Sequence, residues 1–185
     1  MSRVFIIALP DEVHSQTTIL GSPVIFSGIG KINASMAAYN AFTSGYNEII
    51  NIGSCGSLKH QPGDIIQVGQ VFQDIDARPL AEYGFTPGEN PGNQVIIDTK
   101  LNTTCFTTDY FYDKNQLPKY TSEYLSMIES CDVFDMECFA LAKICRRFNI
   151  KFSSYKWVSD DGDASHWKES CHIGFNKVKE IIEKL

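Results

Sequence analysis

Short apolar runs, closed by glycine-bearing turns, alternate along this chain with longer stretches of helical period. Residues 4–9 and 24–26 are apolar without alternation, the pattern of strands buried on both faces. Lys31–Thr43 is rich in alanine and predicts a helix. Residues 48–52 predict the next strand, closing on Gly53-Ser54-Cys55-Gly56. Residues 64–72 read as one extended segment and 86–92, rich in Pro and Gly, as a loop. Residues 94–97 read as a short strand or a helix start, and 102–107 as another strand. A helix is expected over 120–130 and a second over 136–148, where Phe139, Ala140, Ile144 and Phe148 fall on one side. Asp135-Met136-Glu137 would begin that helix. Residues 150–158 predict a strand, and 167–185 a final helix carrying Ile173, Val178, Ile181 and Ile182. Strands alternating with helices imply an α/β sandwich around a largely parallel sheet. No repeat or linker interrupts the pattern, so residues 1–185 read as a single domain.

Composition narrows the partners more than the fold. Hydrophobic content of 43% and charged content of 21% are ordinary globular values. A net charge of −6 supplies no basic face for nucleic acid and no polybasic patch for a membrane. The first apolar run meets Pro10-Asp11-Glu12 at once, too soon for a signal peptide or a membrane span. Cys55, Cys105, Cys131, Cys138, Cys145 and Cys171 form no Cys-x-x-Cys pair, and their scatter suggests a reducing, cytoplasmic setting. His166, Cys171 and His172 match no common metal spacing and read as surface positions. No metal or cofactor is expected.

The candidate chemistry sits where strands end, and in α/β sheets ligands bind there. Acids in such places are costly to bury unless paired. Glu12 follows the first strand, and Ser159-Asp160 the last. Ser27-Gly28-Ile29-Gly30-Lys31 suits either an anion-binding turn or a plain strand-to-helix connection. Asn51-Ile52-Gly53-Ser54-Cys55-Gly56 carries the same two readings. Glu137 fits either a ligand contact or an acid favoured by a helix start. Phe111 and Tyr112 suit either stacking on a planar base or packing in the core.

Taken in order, seven segments resemble one superfamily. They are Ala8-Leu9-Pro10-Asp11-Glu12-Val13, Ser27-Gly28-Ile29-Gly30-Lys31-Ile32-Asn33-Ala34, Asn51-Ile52-Gly53-Ser54-Cys55-Gly56-Ser57-Leu58, Pro62-Gly63-Asp64-Ile65, Thr107-Thr108-Asp109-Tyr110-Phe111, Phe134-Asp135-Met136-Glu137 and Val158-Ser159-Asp160. The set resembles the nucleoside phosphorylases and nucleosidases, and most nearly the methylthioadenosine/S-adenosylhomocysteine nucleosidases. The resemblance implies a three-layer α/β/α sandwich with a twisted mixed central sheet, a purine nucleoside as substrate and a homodimer. It implies that Glu12 activates the attacking water, with Ser54 beside that water. Met136 and Glu137 would contact the ribose, Phe111 would stack on the purine and Tyr112 would offer backbone contacts. Asp160, supported by Ser159, would protonate purine N7, a role that calls for a carboxyl made more basic by burial. Leu9, Ile29 and Phe175 would line the 5′ pocket.

Three activities are compatible with that resemblance: hydrolysis of the N-glycosidic bond, phosphorolysis, and binding by a catalytically weakened homologue. The phosphorylases place arginines at the first turn and before the Gly-Ser-Cys-Gly turn, where this chain has Pro10-Asp11-Glu12 and Asn51. Acids there would repel phosphate, so water is the expected nucleophile. Lys31 and Arg78 are the alternative anion ligands. This chain departs from the nucleosidases at Lys156, which stands for an arginine, and at Asp135, which stands for a glutamate. It is also short between Glu12 and Val24 and differs over 73–80.

Overall fold

The computed structural model describes residues 2–74, 94–163, 165 and 167–184. The expected loop at 86–92, most of the divergent 73–80 segment, Arg78 and His166 lie outside the described residues.

Strand β1 (Arg3–Ile7) is the simplest guide to the layers. Its side chains alternate between two cores, as the two-residue period of a strand requires. Phe5 and Ile7 face a core closed by Cys171, Phe175, Val178 and Ile182 of α4 (Trp167–Ile182). Val4 and Ile6 face the opposite core. There α1 (Lys31–Thr43) brings Ala34, Ala37, Ala38 and Ala41, and α3 (Cys138–Arg147) brings Ala140, Leu141 and Cys145. Small alanines let α1 lie close to the sheet. The architecture is therefore helix on both faces of a central sheet, as the resemblance implied.

The sheet is mixed. β3 (Ser22–Phe26) runs parallel to β1, β1 parallel to β4 (Glu48–Gly56), and β4 parallel to β10 (Lys151–Asp160). β6 (Gln70–Gln73), β8 (Thr104–Thr107) and β9 (Val133–Asp135) form a second parallel set. A single antiparallel step, Gly56 against Phe134, joins the two sets. Short antiparallel strands finish it: β2 (Thr18–Ile19) on β3, β5 (Ile65–Gln67) on β10 and β7 (Gln94–Ile96) on β6. α2 (Ser122–Ser130) covers Phe106 and Phe134 with Ile128.

Several expectations need correction. Val133–Asp135 is a strand, paired to Cys105–Thr107, and α3 starts only at Cys138. Tertiary pairing there outweighs the helical period of the segment that follows. The extended segment 64–72 is two strands, broken at Gly69, where a Cβ would stand 2.5 Å from the Leu101 carbonyl oxygen. Gly53-Ser54-Cys55-Gly56 is not a turn: β4 continues through it, paired residue for residue with β10 as far as Cys55. Cys171, read as a surface position, is buried in the α4 core. Phe175 lies in that core as well and does not line the cavity described next.

Candidate active site

A cavity of about 330 Å³ opens where β1, β3, β4, β8, β9 and β10 give way to their connections. Leu9, Glu12, Ile29, Ser54, Phe111, Tyr112, Met136, Glu137, Ser159 and Asp160 all line it. Segments more than a hundred residues apart in sequence thus converge on one space.

The corner at Glu12 is built from backbone. After β1, a 3-10 turn over Pro10–Val13 starts with proline, whose fixed φ suits a first helical position. The turn buries Glu12 and leaves Asp11 at the surface, where it meets Lys168 at 3.5 Å. Glu12 Oε2 accepts from the Leu9 amide at 3.0 Å. Oε1 accepts from the Ser54 amide at 2.7 Å and from Ser54 Oγ at 2.8 Å. These donors bear the cost of burying a carboxylate. Glycine suits the position opposite, because a Cβ on Gly53 would sit 3.1 Å from Oε1 and press on the carboxylate. Trp167 Nε1 donates to Ser54 Oγ at 2.9 Å. An indole can only donate, so Ser54 must accept from Trp167 and send its own proton to Glu12.

Asp160 closes the opposite corner. Its Oδ1 accepts from the Gly162 amide at 2.9 Å, and its Oδ2 lies 2.7 Å from Ser159 Oγ. Gly162 has φ +94°, and a Cβ there would meet the Tyr112 ring at 2.5 Å, so no other residue fits this turn. Ser159 Oγ is also 3.0 Å from the Cys55 carbonyl oxygen. One hydroxyl hydrogen faces two acceptors. The Asp160 carboxyl is the nearer of the two, so Ser159 ties Asp160 to the β4 backbone.

Between these corners lies a buried charge cluster. Lys156 Nζ meets Asp135 Oδ2 at 2.7 Å, with both side chains almost fully enclosed. Asp135 also accepts from Thr107 Oγ1 at 2.6 Å and from the Cys138 amide at 2.9 Å. Burial works against the lysine charge, but Asp135, then Cys138 and Glu137, hold its pKa well above the usual lysine range. Glu137 Oε1 accepts from the Gly30 amide at 2.9 Å. Burial, and then the Asp135 charge, push Glu137 up to about 7, against the opposing pull of Lys156 and the Gly30 amide. Cys105, Asp135 and Cys138 bring potential metal ligands within 4.8 Å of one another. The ammonium of Lys156 already holds Asp135, and a second cation would be repelled.

The mouth is aromatic. Phe111 and Tyr110 are exposed at its rim, while Tyr112 is buried and stacks on Tyr120 with centroids 5.7 Å apart. Tyr120 Oη donates to the Phe111 carbonyl at 2.9 Å, which fixes the backbone beneath the exposed ring.

The chain as a whole is similar to known proteins. The Phosphorylase superfamily signature matches residues 13–185. A 5′-methylthioadenosine/S-adenosylhomocysteine nucleosidase of Buchnera aphidicola subsp. Schizaphis graminum (strain Sg) is 30% identical over 190 residues, covering 88% of this chain and 77% of the relative. This chain belongs to that nucleosidase family, within the phosphorylase superfamily. The Helicobacter pylori nucleosidase of the same name superposes with a TM-score of 0.74 at 18% identity, over 100% of this chain and 99% of that one. Helicobacter pylori futalosine hydrolase gives 0.75 at 17%, over 100% and 98%. At such identities the likeness is one of fold.

Sequence reasoning missed several residues of this nucleosidase cavity. Thr108, Tyr110, Phe134 and Trp167 line it. Thr108 and Tyr110 belong to a segment already singled out. Trp167 carried one signal, a large donor opening the last helix soon after Ser159-Asp160. Among the described residues, neither Asn51, at the position where an arginine was looked for, nor Lys31, an alternative anion ligand, is left to meet phosphate. Asn51 is buried, donating to the Ile6 carbonyl and accepting from Ser154 Oγ. Lys31 pairs with Asp74 and Asp109.

Proposed function

We propose that this chain hydrolyses the N-glycosidic bond of an adenine nucleoside of the methylthioadenosine/S-adenosylhomocysteine type, releasing adenine and a ribose derivative. The observation that carries the reading is the charge of the cavity. Glu12, Asp135, Glu137 and Asp160 line it, and among the described residues no lysine or arginine does. Cleavage of this bond puts positive charge on the sugar and electrons on the base. Fixed carboxylates favour the first, and a proton from Asp160 to N7 relieves the second. Glu12 Oε2, with one backbone donor, keeps a lone pair to orient and deprotonate water. Glu137 takes hydrogen bonds from the ribose hydroxyls, next to Met136, and Phe111 offers its exposed face to the purine. The backbone of Tyr112 stands beside the base, and Leu9 and Ile29 supply apolar wall for the 5′ group.

Phosphate separates hydrolysis from phosphorolysis. Adenine release is expected to be the same with and without phosphate, and the sugar product to be the free ribose derivative. A rate that rises and saturates with phosphate, with sugar-1-phosphate formed, would overturn the assignment.

A pH dependence follows from Glu137. The folded chain keeps its proton up to about pH 7, whereas an unfolded glutamate gives it up near the ordinary value of 4.5. Its contribution to folding is therefore full below 4.5 and is lost as pH rises through 7. Ribose hydroxyls need the ionised acceptor, so kcat/KM should climb through the same range. Glu137→Gln should abolish that limb and weaken ribose binding by roughly 1.5–3 kcal/mol, with 2′-deoxynucleosides affected less. An unchanged pH profile in the variant would remove Glu137 from the sugar.

A homodimer is part of the proposal. Ile32, Met36 and Tyr39 form an exposed apolar stripe on α1, opposite its buried alanines, and such stripes mark association surfaces. Sedimentation velocity should find a dimer, and Met36→Asp should shift it to monomer. The six cysteines are free and buried, which suits a reducing cytoplasm, and among the described residues no helix is long and apolar enough to cross a membrane. All described strands join one sheet, which supports reading 1–185 as one domain.

A further inference from the structure

Away from the cavity, two solvent-exposed histidines from opposite ends of the sequence meet. His14 ends the 3-10 turn that carries Glu12, in the left-handed region at φ 53°. His172 lies in the α4 helix that carries Trp167. His14 Nε2 and His172 Nδ1 are 2.9 Å apart. A straight N–H···N hydrogen bond of that length would hold the ring centroids about 5.2 Å apart, since such bonds prefer in-line geometry. The centroids are 4.6 Å apart, with the rings 64° to each other. The rings therefore lean off the line between the nitrogens. A nitrogen–nitrogen separation of 2.9 Å matches two imidazoles bound cis, at a right angle, to one ion through metal–nitrogen bonds of about 2.0–2.1 Å. Phe175 backs the His14 ring edge to face at 5.9 Å and limits its swing.

We propose that His14 and His172 form a two-imidazole site for a divalent transition cation of the Ni²⁺, Cu²⁺ or Zn²⁺ class, with water completing the coordination. The ion ties the 3-10 turn to α4. Those two elements meet again inside the cavity, where Glu12 and Trp167 bond to the same Ser54 hydroxyl. The site is a clamp beside the catalytic corner, not a reacting centre. Asp11 and Lys168 make the neighbouring cross-link between the same elements. Hard cations such as Mg²⁺ prefer oxygen ligands and are not held.

Calorimetric titration of the reduced full chain with Ni²⁺ tests this, paired with thermal melts. Ni²⁺ spares the thiols the oxidation that Cu²⁺ would bring. One saturable site is expected, with a melting temperature that rises with Ni²⁺ and not with Mg²⁺. His172→Ala should weaken Ni²⁺ binding at least tenfold and remove the thermal response, while the folded variant keeps its metal-free nucleosidase activity. His14→Asn, which tolerates the left-handed backbone, should do the same. Ni²⁺ binding that survives both substitutions would place the ion elsewhere and overturn the proposal. Absence of saturable binding in the wild type would overturn it as well.

Discussion

Asp160→Asn is expected to lower turnover by about 10²–10⁴-fold, the usual worth of general acid catalysis, while adenine-nucleoside affinity largely survives. The hydrogen bonds explain why the fold should tolerate it. Asparagine Oδ1 still accepts from the Gly162 amide. Its Nδ2 can donate to Ser159 Oγ, which donates in turn to the Cys55 carbonyl. Every partner in the corner is satisfied. The amide can also donate to N7, but it cannot give the proton away, so the base must leave without it. Turnover and affinity measured side by side, with a melt to verify folding, distinguish this from a turn residue. Near-normal turnover in a folded variant would mean that Asp160 is not the acid.

Lys156→Met carries the largest expected cost to stability. Lys156 and Asp135 are buried together, and Asp135 depends on the ammonium to balance its charge. Removing one partner of a buried pair costs about 3–5 kcal/mol, because the other is left without compensation. For a chain of this size that is a fall in Tm on the order of 10 °C. Glu137 also loses the Lys156 charge that draws its pKa down, so the pH limb assigned to it should move to higher pH. Replacing both partners, Lys156→Met with Asp135→Leu, should recover much of the lost Tm, since residues in one network are not additive. Equal losses in the single and double variants would show that the pair does not act as a unit.

The cavity was more legible in the sequence than the strands that frame it. Glu12, Ser54, Glu137 and Asp160 each mark an abrupt change from an apolar run to a polar or glycine-rich one, and that contrast survives without knowledge of pairing. Val133–Asp135 was not legible because three residues are too few to show a period, and only their pairing with β8 makes them a strand. Gly53 reads locally as a turn residue. In the structure it serves close approach inside a strand, next to Glu12 Oε1. Trp167 was hidden for another reason: it acts through a partner far away in sequence, Ser54. Cys171 was placed on the wrong side because a single small residue on a helix carries no sign of which side it faces.

β4 lies between β1 and β10 for part of its length, and its far end carries Ser54. Backbone amides in such a position exchange with solvent only when the whole domain opens. Residues 48–51, flanked by β1 and β10, therefore belong to the slowest-exchanging part of the molecule, and the strand runs on from them to Ser54, which holds Glu12. Phe111, exposed at the rim, belongs to a part that can open far more often. A nucleoside can then enter and leave past the aromatic rim many times while the strand that carries the water-activating corner stays intact.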